Sequence, residues 1–515
     1  MKLFNKKQLT LGVACVTLAL VAVTSGCKKF LDTERQGAYT ADNYPYPSGS
    51  GPYDPYINAI YGDLRSYSVH ADGFIVATSI RSDDADKGST ASDGGSDVIT
   101  MDNFPVLPNN GRANGLWTGY FGMITKCNVA LDAIQNNKNI VADPAVKAQA
   151  EAEVRFVRGY AYFMLVRFFG NVPLIDKVFA DPAAQSNVMQ SSPDVIYPFI
   201  EKDLTIAAAS LPVVPPSKFP GRLTSGAANG MLAKVYLTQK KWGMAMAAAS
   251  AVINSGQYDL STPYAKIFSE DGENSKESIF EIQATASSSR KSEDGIQYAS
   301  IQGVRGTNDF NMGWGWNSPS PFLEAAYEAN DPRKARTILY ASKAGAPSRT
   351  IYNELMPLFP SEVPNERYNN KVYTNPSFRS AVNDRGGYWM NVRILRFADV
   401  VLMYAEAANE TGSTQDAIDK LEMVRARARA GNASILPKVT TTDKTALRLA
   451  IQQERRIELA MEHDRFFDLV RWGIADDAMR SAGKPNYTNS RDALLPIPQT
   501  QIDLSKSVLK QNPGY

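Results

Sequence analysis

Two stretches of this chain repeat one design, and the design leaves few folds open. Thr224–Lys240 and Gly243–Ser255 read as helices joined by a short turn, and Val392–Glu410 followed by Thr414–Ala430 reads as a second hairpin, broken at Gly412. Alanines alternate with large apolar residues in a similar rhythm: AAxxxLAKVYL and WxxAMxAASAVI in the first, FADVVLMYAEAA and AIDKLEMV in the second. Small residues let helices approach closely and large ones fill the grooves, as in helix-turn-helix solenoids with repeats of about 34 residues. Other segments carry the same period. Asn114–Asn136 places Leu116, Tyr120, Ile124, Val129 and Ile134 at helical spacing, Asp143-Pro144 opens a helix to about Phe169, and Ser192–Leu211 is stopped by Pro212 and the Pro215-Pro216 pair. The fold expected is mainly α: a tetratricopeptide-like scaffold of four helix pairs, covering about 56–66, 114–255 and 392–475.

Between these helices the chain changes character. Residues 67–111 and 257–391 are rich in Gly, Asn, Ser, Pro and aromatics and show few periodic runs, so they read as loop-rich, strand-poor excursions, the kind of segment that carries function. The whole of 56–515 reads as one domain, with 27–55 a polar tether ahead of it.

The first 26 residues read as a secretory signal. Lys2, Lys6 and Lys7 precede an apolar run from Leu9 to Val23, too short for a comfortable bilayer span, which ends in Thr24-Ser25-Gly26 directly before Cys27. This layout resembles the lipobox of bacterial lipoproteins, with Thr24 where that box usually carries an aliphatic residue. The resemblance implies cleavage before Cys27 and its acylation, and hence a protein anchored to a membrane. Loss of the three signal lysines takes the formal charge from +2 to −1, so the chain has no electrostatic footprint for nucleic acid. Cys15 leaves with the signal and Cys27 is acylated on this reading. Cys127 then has no partner for an intrachain disulfide and reads as a buried hydrophobe. His70 and His463 are the only histidines, which argues against a zinc or His-based catalytic centre; no metal or cofactor is expected.

Several long segments match one family in order. Cys27-Lys28-Lys29-Phe30-Leu31-Asp32 resembles the mature start of SusD/RagB-type lipoproteins. EAEVRFVRGYAYFMLVRFFGNVPLI at 151–175, GRLTSGAANGMLAKVYL at 221–237 and RILRFADVVLMYAEAANETG at 393–412 resemble its repeat helices. ERRIELAMEHDRFFDLVRWG at 454–473, LLPIPQTQI at 494–502 and the C-terminal Gln511-Asn512-Pro513-Gly514-Tyr515 resemble its later signatures. The resemblance implies a non-catalytic outer-membrane lipoprotein of polysaccharide utilisation. It would hold oligosaccharide at the cell surface as the lid of a SusC-like TonB-dependent transporter barrel.

The residues themselves leave alternatives. Residues 454–471 hold five acids and four arginines, and paired carboxylates are what a surface glycoside hydrolase needs. Interleaved arginines lower carboxylate pKa, the wrong direction for a general acid, so an ion-pair network bracing helices is the expected role. Asp83, Asp84 and Asp86 in RSDDADKG read as a solvated loop, with calcium ligation the lesser alternative. In similar family members this loop lies near the sugar, which makes Arg81 and Asp83 candidates for bonding hydroxyls. Trp314 and Trp316 in NMGWGWNSPS would share one face of an extended backbone, and Trp389 follows Tyr388 in RGGYWMN. Such rings stack on the C–H face of a pyranose, or else form a local aromatic cluster that packs the excursion. The candidate glycan contacts are thus Trp314, Trp316, Trp389, Tyr388, Arg81 and Asp83. A pure assembly scaffold, the third reading, would lack an exposed aromatic platform. The sequence names no particular glycan.

Overall fold

Capping side chains set where the scaffold helices begin. The computed structural model describes residues 49–285 and 294–515; the signal, Cys27 and most of the tether lie outside the described residues. Asn110, Asp143, Thr224 and Asp443 each accept a hydrogen bond from a first-turn N–H, satisfying a donor the helix itself cannot pair. The principal helices are α1 (Asp54–Leu64), α2 (Gly111–Asn136), α3 (Pro144–Phe169), α4 (Pro193–Ser210), α5 (Ser225–Thr238), α6 (Trp242–Ile253), α7 (Pro376–Val382), α8 (Phe397–Thr411), α9 (Thr414–Arg429), α10 (Lys444–Glu458) and α11 (Arg465–Trp472).

Their packing follows the chain. α1 lies against α2, α2 against α3, α3 against α4, α4 against α5 and α5 against α6. α6 then packs on α8, which carries α9 and α10. Four consecutive pairs, α1/α2, α3/α4, α5/α6 and α8/α9, therefore stack as the helical rhythm predicts. α3 is buried nearly all round from Ala150 to Phe169, as expected of a helix with neighbours on every side. Cys127 on α2 is fully buried, and burial pushes its thiol well above the usual range. Among the described residues no helix is long and apolar enough to cross a membrane.

Strands pair two at a time. β1 (Ala85–Gly88), β2 (Ser278–Ile282), β3 (Trp316–Pro319), β4 (Ile338–Tyr340), β5 (Arg367–Asn369) and β6 (Val392–Arg396) form the antiparallel pairs β1–β3, β2–β6 and β4–β5. Residues 392–396, expected to open a helix, instead form β6. The VRILR run puts Val392 opposite Ile282 and Arg396 opposite Ser278, and the helix starts only at Phe397. The β2–β6 pair clasps the two ends of the long excursion just before the chain rejoins the stack. Beyond the clasp the excursion has its own small core of Val304, Met312, Leu339, Ala341, Met356, Val363, Tyr368 and Tyr373.

Both histidines sit in the core, each between two oxygens. Leu64 O can only accept, so His70 Nδ1–H donates to it (2.7 Å) and Nε2 accepts from the Tyr160 hydroxyl (2.6 Å). Thr78 gives its own proton to Phe74 O, so His463 Nδ1–H donates to Thr78 Oγ1 (3.0 Å) and Nε2 accepts from the Tyr298 hydroxyl (2.6 Å). Burial draws both imidazoles down to about 3, so they are neutral structural groups at neutral pH.

Candidate functional site

The acids of 454–471 face arginines from other elements. Glu454 takes Arg333 (2.5 Å) and Arg425 (2.9 Å), while Glu458 takes Arg427 (2.6 Å), Arg396 (3.1 Å) and Arg333 (3.2 Å). Glu277 joins the same layer through Arg427 (2.5 Å) and Arg396. Burial alone would raise the Glu458 pKa; Arg427, Arg396 and Arg333 outweigh it and hold the carboxyl well below the usual range. Asp464 pairs with Lys234 (2.5 Å), and Arg455 bridges Asp399 (2.8 Å) and Asp468 (3.2 Å). These charges join α5, α8, α9, α10 and α11 to the excursion. A carboxylate held ionised in a closed layer cannot deliver a proton to a glycosidic oxygen.

A different arrangement occurs in the excursion, where a cavity of about 800 Å³ opens between its loops. Asn375 caps α7 through Ser377 N (3.0 Å), and Asn383 ends it in the left-handed region (φ 50°). The Asp384 carboxylate then accepts the Gly386 N–H (3.2 Å), an Asx turn. Gly387 follows at φ 70°, where a Cβ would meet Thr374 at 2.7 Å, and the turn delivers Tyr388 to the cavity wall. Another part of the wall hangs on Ser300, whose carbonyl accepts the Trp314 N–H (2.9 Å). A Cβ on Gly313 would stand 1.8 Å from that oxygen, so only glycine allows this approach. Trp314, half-buried, lines the cavity.

The polar lining comes in pairs. Buried Arg379 donates to Glu354 (2.5 Å) with its guanidinium 5.4 Å from the Tyr373 ring centre, and Glu354 also accepts the Tyr373 hydroxyl (2.9 Å). At the rim, Arg385 donates to Asp309 (2.8 Å), a carboxylate 74% exposed. Asn311 and Gln297 add amide groups. Aromatic rings beside fixed donors and acceptors suit a ligand with apolar C–H faces and many hydroxyls.

Of the sequence-derived candidates, Trp314 and Tyr388 share this cavity, and four others are placed elsewhere. Trp316 is 3% exposed, with its indole N–H donated to Asp93 (3.0 Å). The shared face fails because Gly315 sits at φ 73°: the backbone is not extended between the two rings, which meet edge-on at 70° with centres 4.9 Å apart. Trp389 is equally buried, tilted against Phe378 at 5.2 Å and bonded to Glu270 (3.3 Å). Arg81 is fully buried over the Phe466 ring and donates to the Asp492 carbonyl (2.6 Å). Asp83 and Asp84 form no solvated loop. Arg465 binds Asp83 (2.7 Å) and Arg456 binds Asp84 (2.5 Å), both in the interior. Burial lifts both carboxyls; Arg465 draws Asp83 back below the usual range, while Asp84, crowded by Asp83, stays raised. Arginines already hold this acidic pair, which leaves calcium no role there. The sequence reading missed Arg379, Glu354, Asp309, Arg385 and Asn311. The turn-rich runs NDRGG at 383–387 and GTNDFNMG at 306–313 were the available signal.

Two family models match complementary parts of the chain. One, described as the SusD family, matches residues 276–515; the other, described as starch-binding associating with outer membrane, matches 67–237. The SusD-like protein P2 of Formosa agariphila is 28% identical over 480 residues, covering 89% of this chain and 91% of that protein. A SusD-like protein of Bacteroides ovatus is 26% identical over 396 residues, 72% of this chain and 67% of that one. Among solved structures, a laminarin-binding SusD-like protein superposes with a TM-score of 0.76 at 28% identity, over 90% of this chain and 99% of that one. Surface glycan-binding protein A from Bacteroides fluxus does so with a TM-score of 0.74 at 25% identity, again over 90% and 99%. The SusD family model over residues 276–515, together with SusD-like relatives and solved structures that span about nine-tenths of the chain, makes this a SusD-like protein along nearly its whole length.

Proposed function

We propose that this protein is a cell-surface lipoprotein that binds oligosaccharide in the cavity around Trp314 and Tyr388 and delivers it, uncleaved, to a SusC-like TonB-dependent outer-membrane barrel. One observation carries the binding role. The cavity joins aromatic rings to paired polar groups in a chain that shares its fold, at 28% identity, with a laminarin-binding protein. Binding without hydrolysis fits the same wall. A glycosidase needs two free carboxyls about 5–10 Å apart; here Glu354 is held by Arg379 and Tyr373, Asp309 by Arg385, and Asp384 by the Gly386 N–H.

Calorimetric titration of the mature protein against a glycan array identifies the ligand. Trp314→Ala and Tyr388→Ala should then abolish or weaken binding, and chromatography of the glycan after long incubation should show no shorter products. Products that vanish in Glu354→Gln or Asp309→Asn would favour a surface glycoside hydrolase. Anchoring through Cys27 is tested by Cys27→Ala, which should move the protein from the membrane to the soluble fraction. Purification in mild detergent should retain a barrel subunit; a protein recovered only as free monomer would count against the delivery role.

A further inference from the structure

We infer, on the reading that this cavity holds a glycan, that its ligand is an uncharged oligosaccharide and that chains bearing uronate or sulfate groups are rejected. The argument is the charge of the wall. Among the described residues lining it are three carboxylates, Asp309, Glu354 and Asp384, and two guanidinium groups, Arg379 and Arg385, with no lysine or histidine. Each arginine already has a carboxylate partner. Arg379 is buried against Glu354 and the Tyr373 ring, and Arg385 is bonded to Asp309 at the rim.

An anionic ligand would have to compete with these carboxylates for the two guanidinium groups while standing among three carboxylates, and like charges set side by side work against association. Hydroxyls face no such conflict. A carboxylate accepts a hydroxyl proton, a guanidinium donates to hydroxyl oxygen, and both remain bonded to each other at their free atoms. The wall is therefore matched to ligands that offer many hydroxyls and no charge. Because no ion pair forms on binding, affinity should respond little to salt.

The test titrates the mature protein, at roughly 20 and 500 mM NaCl, with neutral gluco-, manno-, galacto- and xylo-hexaoses and with oligogalacturonate, oligoalginate and sulfated galactan fragments. The expected result is binding of a neutral hexaose that changes by less than about twofold with salt, is lost in Trp314→Ala, and has no acidic counterpart. An acidic oligosaccharide that binds, weakens with salt and is lost in Trp314→Ala would overturn the charge argument while leaving the cavity as the glycan site. A neutral hexaose that binds unchanged in both Trp314→Ala and Tyr388→Ala would overturn the cavity reading, and this inference with it. Failure of every fragment to bind counts the same way. Asp309→Lys combined with Asp384→Asn adds a cation and removes two acids at the wall. It should admit oligogalacturonate at least tenfold more tightly than the parent protein; no change would mean that charge is not what excludes it.

Discussion

The layer around Glu458 and the cavity around Trp314 are made of the same residue types, and they differ in the reach of water. In the layer, Glu277, Glu454 and Glu458 are sealed among Arg333, Arg396, Arg425 and Arg427, each carboxylate with two or more arginines. In the cavity, Asp309 and Arg385 meet at an exposed rim, and Trp314 keeps part of its ring uncovered. An arginine–carboxylate pair is thus a fastening in one place and part of an open cavity wall in the other. A tryptophan divides the same way: Trp316 is packing, and its neighbour Trp314 is wall.

Substitutions on the two sides should separate accordingly. The largest effect is expected from Glu458→Gln, which leaves buried guanidinium groups short of a counter-charge and should cost about 3–5 kcal/mol by chemical denaturation. A melt unchanged from the parent protein would break the comparison at its first term. Trp316→Ala should follow at about 3 kcal/mol, from the cavity it opens in the core. Acid should act through the histidines. Their folded pKa values, near 3, lie below the unfolded value of 6.5, so the unfolded chain binds more protons between those limits and stability falls as pH drops through that window. Glu273, raised by burial to about 7, opposes this from about 4.5 upward, so the histidine share is best read by difference. His463→Gln should flatten the stability–pH slope between pH 6 and 5 by about 1.4 kcal/mol per unit; an unchanged slope would mean that His463 does not stay neutral in the fold.

Smaller effects belong to the cavity. Trp314→Ala should weaken glycan binding by about 1–3 kcal/mol in a titration, with no more than about 1 kcal/mol lost in stability. A steep fall in the melt with affinity retained would place Trp314 with Trp316 as packing. Arg385→Ala should change stability by less than about 1 kcal/mol, because an exposed pair gains little over water.

Local signals were the legible part. Asp143-Pro144 and Thr224 announced helix starts because a cap is a contact within one turn, and the alanine rhythm announced neighbours because the stacking follows the chain. Long-range partners were not legible. Nothing near Asp83 in sequence reveals Arg465, 382 positions away, so two adjacent acids looked like a wet loop. VRILR suits a helix until Ser278–Ile282 arrives to pair with it. The tryptophans divide for a subtler reason: Gly313 and Gly315 seem to bare the rings, but one is there for contact with Ser300 O and the other for a left-handed backbone step (φ 73°) just before β3. Of the cavity, sequence found Trp314 and Tyr388 and missed its charged wall, which is assembled from residues 309–311, from Glu354, from Arg379 on α7 and from the turn at 383–386 that follows it.

The β2–β6 clasp has a consequence for how such a protein can change. α6 and α8 pack together although residues 254–396 intervene, because the chain leaves and returns through one antiparallel pair. An insert stapled at its base transmits little of its own length to its host, and lengthening a closed loop adds only about 0.6 kcal/mol per doubling. The excursion is wired as an interchangeable cartridge. Cut between Ile282 and Val392 and refilled with another sequence that closes on the same two strands, it would present a new wall on the same rack of helices, provided the refill again brings an arginine to Glu454 and Glu458, as Arg333 does, and a hydroxyl to His463, as Tyr298 does.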